Sequence, residues 1–193
     1  MAAYSELENI LKRYIDSGEF LNSAKNADKL RELLRNESVN HRYDLLINIR
    51  GFSTWTGLHE ATFVNDLQSI KCMLDGFSCD KKYDVLKIQT SYGDTPLRWA
   101  ALRGNSSIIT YLMTDLSQQQ KYDILQIQNT WGNTALHEAA SKNNVEAYRA
   151  ILASVPYHLL LELLNIENNA GRTAEDIRPE ITDEPIVLFA KGL

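Results

Sequence analysis

The sequence predicts an all-α solenoid of stacked helix–turn–helix units joined by turn or hairpin loops. Two repeated phrases and one periodicity predict it. Thr56-Gly57-Leu58-His59-Glu60-Ala61 recurs as Thr95-Pro96-Leu97-Arg98-Trp99-Ala100 and as Thr134-Ala135-Leu136-His137-Glu138-Ala139. With a weaker copy at Thr173-Ala174-Glu175-Asp176-Ile177-Arg178, the threonines fall 39 residues apart each time. A second phrase keeps the same order: Tyr43-Asp44-Leu45-Leu46, Tyr83-Asp84-Val85-Leu86 and Tyr122-Asp123-Ile124-Leu125. Between the phrases, apolar residues recur at i, i+3 and i+4, the stripe of an amphipathic helix. A hairpin of two short helices cannot bury that stripe alone, whereas stacked copies can.

Along the chain, Leu7, Ile10, Leu11 and Tyr14 predict an N-terminal helix within residues 1–16. A degenerate first repeat over 17–54 follows, with Phe20, Ala24, Leu30, Leu33 and Leu34 as its apolar rhythm. Repeats are then expected over 55–93, 94–132 and 133–171, and a capping repeat over 172–193. In each repeat the threonine hydroxyl caps the first helix. Pro96 stands one past the cap, where its missing N–H costs nothing. Asn65, Gly104 and Asn143 mark the break, because a helix end needs a residue that accepts the left-handed region. Ile70, Met73 and Leu74, then Ile109, Leu112 and Met113, then Tyr148, Ile151 and Leu152 line the second helices. The Tyr-Asp phrases predict one or two further helical turns, with Ser117 and Gln120 as a capping box. Their Leu and Ile are expected in the convex-side core, and Tyr43, Tyr83 and Tyr122 against neighbouring repeats. Gly93, Gly132 and Gly171 each form a turn two residues before a threonine. In the last unit, Asp183-Glu184-Pro185 opens a short helix with Ile186, Val187 and Ala190 facing inward.

The composition narrows the function classes. At 193 residues and 44% hydrophobic, the chain can bury a sizeable core. No apolar stretch approaches the ~18 residues of a membrane span. The N-terminus lacks the basic-then-apolar pattern of a secretory signal. Cys72 and Cys79 match neither a zinc spacing nor a disulfide framework. Reduced thiols in a cytoplasmic protein are the expectation, and the sequons at Asn36 and Asn105 then carry no meaning. A net charge of −5 argues against a nucleic-acid binder, which usually shows a basic face. The acidic stretch from Glu162 to Glu184 is expected to be a solvated outer surface.

The phrase Gly132-Asn133-Thr134-Ala135-Leu136-His137-Glu138-Ala139-Ala140 resembles the ankyrin repeat, whose hallmark is T-P-L-H-x-A in a unit of about 33 residues. The resemblance runs from about Gly51 to Arg178 and implies an ankyrin-repeat solenoid. The departures are the longer unit, with its excess around Tyr83–Gln89 and Tyr122–Gln128, and Arg98 in place of the hallmark histidine. Thr54 stands where the turn glycine is expected, and Glu175 where the leucine is expected, with Ile177 taking its place in the core.

No catalytic constellation emerges. His59 and His137 share a repeat position, and the resemblance makes that histidine structural, bonding across to neighbouring turns. No tuned acid–base pair, phosphate-cradling loop or metal-ligand spacing accompanies them, so neither an enzyme nor a cofactor or metal is expected. The aromatic residues carry more. By resemblance, a concave surface is lined by the positions four, three and one before the threonine and four and eight after it. Those positions read Phe52, Ser53, Trp55, Glu60 and Val64, then Ser91, Tyr92, Asp94, Trp99 and Arg103, then Thr130, Trp131, Asn133, Glu138 and Lys142. All three tryptophans fall on this set. Clustered exposed Trp, Tyr and Arg are what interface hot spots are made of. The expected function is a protein–protein interaction module or adaptor whose concave face holds a protein or peptide. Repeat-only ankyrin chains with stretched units are also similar to secreted effectors of intracellular bacteria, which implies action in a host cell. The competing reading is a nucleotide or nucleic-acid base stacked on the aromatics, with Arg98, Arg103 and Lys142 as the available phosphate contacts.

Overall fold

The computed structural model describes residues 5–17 and 24–178. Among these, the regular structure is helical, with no strand. The first unit holds α1 (Glu6–Ser17), α2 (Ala24–Asn36) and α3 (Val39–Asn48). The second holds α4 (Gly57–Phe63), α5 (Leu67–Leu74) and α6 (Cys79–Leu86), and the third α7 (Pro96–Leu102), α8 (Ser106–Met113) and α9 (Gln118–Leu125). The fourth holds α10 (Ala135–Ser141), α11 (Val145–Leu152) and α12 (Tyr157–Leu164), and α13 (Ala174–Ile177) begins a fifth. The helices from Gly57 onward start at the interval of the threonines.

The units stack in rows. First helices pack in the series α1, α4, α7, α10, α13, and third helices in the series α3, α6, α9, α12. In the second row α2 meets α5 and α8 meets α11. Each row buries the residues its periodicity marks. Leu58, Leu97 and Leu136 are sealed in the first row, and Ile70, Met73, Ile109, Leu112, Tyr148 and Ile151 in the second. Leu45, Leu86, Leu125 and Leu164 are buried in the third. Fully burying one such side chain stabilises by roughly 1.5–3 kcal/mol.

The extra length of each unit is the third helix. Ser78 and Ser117 cap α6 and α9, and Ser117 forms the expected capping box with Gln120. The tyrosines tie successive units together: Tyr43 Oη donates to Asp84 at 3.1 Å, Tyr83 to Asp123 at 2.9 Å and Tyr122 to Glu162 at 2.6 Å. Asp84 and Asp123 belong to the Tyr-Asp phrase itself, so the second and third phrases each supply the donor to one neighbour and the acceptor to the other.

Backbone breaks fall where Gly and Asn predict them. Asn65, Gly104 and Asn143 have φ of 65°, 74° and 57°. Gly93 and Gly132 have φ of 78° and 75°. A β-carbon there would lie 2.8 Å from Asn129 Cα and 2.5 Å from Asn169 N, so glycine is needed for space as well as for torsion. Thr54 occupies the same place with φ of 62°, next to Ser53 at 57°, two side-chain-bearing residues in the left-handed region.

The N-terminal boundary differs from the sequence reading. The helix expected as a leader to the first unit packs against α4 and pairs with α2. It is therefore the first helix of that unit, which opens near Glu6 instead of Ser17. Leu7, Leu11 and Tyr14 are buried in the shared core, as are Leu30 and Leu34. Without the hallmark phrase, α1 offered only its apolar stripe, which any packed helix shows. Phe20 lies outside the described residues, as do Asp183-Glu184-Pro185 and Ile186, Val187 and Ala190. Cys72 is buried and Cys79 exposed, and neither forms a disulfide. No helix among the described residues is long and apolar enough to cross a membrane.

Candidate functional site

The candidate face is built by the turns and the exposed side of the first helices. In the turn before α7, the N–H of Thr90 donates to the Asp94 carbonyl and that of Gly93 to the Thr90 carbonyl, both at 2.9 Å. One side-chain oxygen braces each turn from within. Thr90 Oγ1 accepts from the N–H of Tyr92 and Asp94, and Asn129 Oδ1 from Trp131 and Asn133. Asn168 Oδ1 accepts from Ala170 and Arg172. Gly51 holds this place in the earlier turn and has no such oxygen, and there the backbone departs from the later turns at Ser53. Successive turns are then pinned together by Ser91 N–H to Ser53 O, Thr130 N–H to Tyr92 O and Asn169 N–H to Trp131 O, at 2.9–3.1 Å.

This ladder brings three expected aromatics into line at the turn tips. Phe52 is 89% exposed, Trp131 55% and Tyr92 50%. The Tyr92 and Trp131 rings stack with centroids 6.0 Å apart and planes 15° from parallel. Deeper on the face, Trp55 and Trp99 meet at 4.9 Å. Phe63, the last residue of α4, stands edge-on to both at 5.6 and 5.3 Å. The exposed Arg103 lays its guanidinium 5.2 Å from the Phe63 ring. Trp55 and Trp99 are half-buried, and the Trp99 indole N–H is buried without a hydrogen-bond partner. Solvent display of all three indoles therefore holds fully only for Trp131, because Trp55 and Trp99 spend part of their surface on each other.

The three acidic candidates are not on the surface. Glu60, Asp94 and Glu138 are 5%, 4% and 6% exposed. Arg98 explains two of them: it pairs with Asp94 at 2.8 Å and with Glu138 at 2.7 Å, across the α7–α10 contact. Asn129 Nδ2 donates to Asp94, and Asn133 Nδ2 to Glu138. Asn133 is half-buried in this network and accepts from Asn168 Nδ2. Desolvation still raises the Asp94 carboxyl above its usual range, more than Arg98 lowers it. Glu60 has no such cation, and burial pushes it up to about 7. Lys142 is exposed, as expected.

The ankyrin-repeat family model matches residues 131–157, the stretch holding the best hallmark copy. That match and the stack of short helices around it fit an ankyrin-repeat protein. A search of curated proteins returned no match. Ankyrin repeats in general mediate protein–protein interaction.

The two histidines at the hallmark position are built into the frame of the stack. His59 Nδ1 lies 2.8 Å from Thr56 Oγ1 and also accepts from the Thr56 N–H, while Nε2 sits 3.0 Å from the Asp94 carbonyl. That pattern assigns the proton to Nε2. His137 repeats it with Thr134 and the Arg172 carbonyl. Burial lowers His59 to about 4 and lowers His137 as well, so both rings are neutral spacers between turns. Among the described residues, no three His, Cys, Asp or Glu converge as a metal site would need.

Sequence reasoning missed Phe63 and the bracing residues Thr90, Asn129 and Asn168. Phe63 left a faint signal, since Leu102 and Ser141 hold its register. The bracing residues recur five before each threonine, a period that the hallmark phrase overshadowed.

Proposed function

We propose that this chain is a protein–protein interaction module, an adaptor that holds a partner protein or peptide on the face of its turns and first helices. The observation carrying this reading is the row of exposed rings at Phe52, Tyr92 and Trp131 above a core that is complete without them. Large rings cost solvent exposure in the free protein and gain contact area when a partner covers them, which is why Trp, Tyr and Arg dominate interface energetics. The test is affinity purification with mass spectrometry, comparing the wild type with a Phe52→Ala/Tyr92→Ala/Trp131→Ala variant. These tips lie outside the core, so the far-UV circular dichroism should be unchanged. Proteins retained by the wild type and lost from the variant are the expected result. An identical protein set for both would overturn the reading. Trp99→Ala is a less clean probe, because its ring also packs on Trp55 and Phe63.

The resemblance of the stretched repeats to those of secreted effectors extends the proposal to an effector acting in a host-cell cytoplasm. A translocation reporter fused to the chain should then signal from host cells, and a signal confined to the producing cell would refute it. The near-parallel Tyr92–Trp131 pair favours a second reading, stacking on a nucleotide or nucleic-acid base. Arg98, one of three cations counted for phosphate, is committed to buried carboxylates. A salt titration separates the readings, since phosphate contacts make binding steeply salt-dependent.

A further inference from the structure

The accessible charge of the candidate face is opposite in sign to that of the chain. Overall the chain carries −5. At the five face positions of each repeat, however, the acids Glu60, Asp94 and Glu138 are all buried. Arg98 takes up two of these carboxylates, and Glu60 is out of solvent, its carboxyl pushed up to about 7 by that burial. Among the described residues at those positions, the charges left to solvent are Arg103, Lys142 and Arg172, all exposed. Burying the acids is thus what makes the face basic, and the sequence alone shows only a mixture of signs there.

The cations are also ordered. Arg103 and Lys142 hold the same register, at the C-terminal ends of the packed helices α7 and α10. Packed helices lie about 8–10 Å apart. An extended chain covers that distance in about three residues at ~3.3 Å each. Arg103 is partly pre-placed by its stacking on Phe63, and a planar guanidinium so held suits a carboxylate. Between the cations and the turn tips lie the half-buried indoles of Trp55 and Trp99.

We propose that the segment held on this face is an extended acidic stretch of another protein. Two of its carboxylates, about three residues apart, pair with Arg103 and Lys142, and its interleaved apolar side chains lie on Trp55 and Trp99. This inference rests on the reading of that face as the binding surface. A nucleic acid fits less well, because three separated cations on a chain of net −5 give little for a continuous phosphate backbone to follow.

The test is selection of random linear 15-residue peptides on the full chain, followed by dissociation constants from fluorescence anisotropy. The expected result is a set of binders rich in Asp and Glu with Leu, Phe or Trp between them. Arg103→Glu/Lys142→Glu should weaken them about tenfold or more, and replacing the acids of one binder with Lys should restore its affinity for that variant. Neutral or basic binders that lose affinity with the Phe52/Tyr92/Trp131 alanine variant would overturn the acidic assignment and leave the face as the binding surface. Binders indifferent to both the charge-reversal and the alanine variants would overturn both readings. An empty selection, or tighter binding of a 15-nucleotide thymidine oligomer than of any peptide, would also overturn the acidic assignment.

Discussion

Arg98→Ala removes the cation that neutralises two buried carboxylates. The Arg98, Asp94 and Glu138 side chains are 9%, 5% and 7% exposed, with contacts of 2.8 and 2.7 Å. Breaking a buried pair by deleting one partner costs about 3–5 kcal/mol, because the other charge stays buried and unpaired. Asn129 and Asn133 still donate to the stranded acids, which places the expected loss near the lower end, at about 3 kcal/mol at pH 7.5. With a urea dependence of ~1–3 kcal/mol per molar, the unfolding midpoint should fall by about 1–3 M. The pH dependence has a definite sign. Asp94 is already raised in the folded protein, and losing Arg98 raises it further. A folded state that binds protons more tightly than the unfolded chain gains stability as pH falls, so the deficit should shrink between pH 7.5 and pH 5. Arg98→Met/Asp94→Asn/Glu138→Gln should recover most of the loss, since it removes the charges together. Circular dichroism at 222 nm in urea reads the wild type and both variants. A loss under about 1 kcal/mol, or one that grows on acidification, would refute the reasoning.

Other expectations can be tested in the same way. Thr54→Gly should stabilise the protein by about 0.5–1 kcal/mol, because φ of 62° strains a β-carbon; an unchanged or lower melting temperature would contradict it. Glu60 at about 7 and His59 at about 4 act in opposite directions. The raised Glu60 makes stability increase on acidification through pH 7, whereas the lowered His59 provides stability above pH 6.5 that is lost as pH falls toward 4. Glu60→Gln should therefore raise stability at pH 8 and expose a decline between pH 6.5 and 4.5, and a flat profile in urea melts would count against both assignments. Tyr83→Phe deletes the 2.9 Å bond to Asp123 and should cost about 0.5–1.5 kcal/mol in the same melts. A larger loss would mean that the ring, not the hydroxyl, is perturbed.

Much of the architecture was legible because it is local and repeated. Thr56, Thr95 and Thr134 announce helix starts through capping chemistry within four residues of chain. Asn65, Gly104 and Asn143 announce helix ends through a torsion few residues accept. The Tyr-Asp phrase announced an additional helical element, and its hydroxyls reach the next unit. The first unit was misplaced because α1 carries no hallmark and its partner α4 lies about fifty residues on. On the candidate face, register alone treats Phe52, Glu60 and Trp99 alike. Phe52 stands free at a turn tip, Glu60 is buried, and Trp99 closes a ring cluster with Phe63, which belongs to another register.

The chain by itself determined that this is a stack of helical hairpins, where each unit begins from Thr56 onward, and which side chains meet at equivalent heights of neighbouring units. Those are properties of period and capping, written in residues close together in sequence. Only the tertiary structure decided which face residues remain in solvent and what charge they leave there. Burial depends on the side chain that arrives from the adjacent unit, as Arg98 arrives at Glu138, and desolvation then sets whether a carboxylate counts as charge at all.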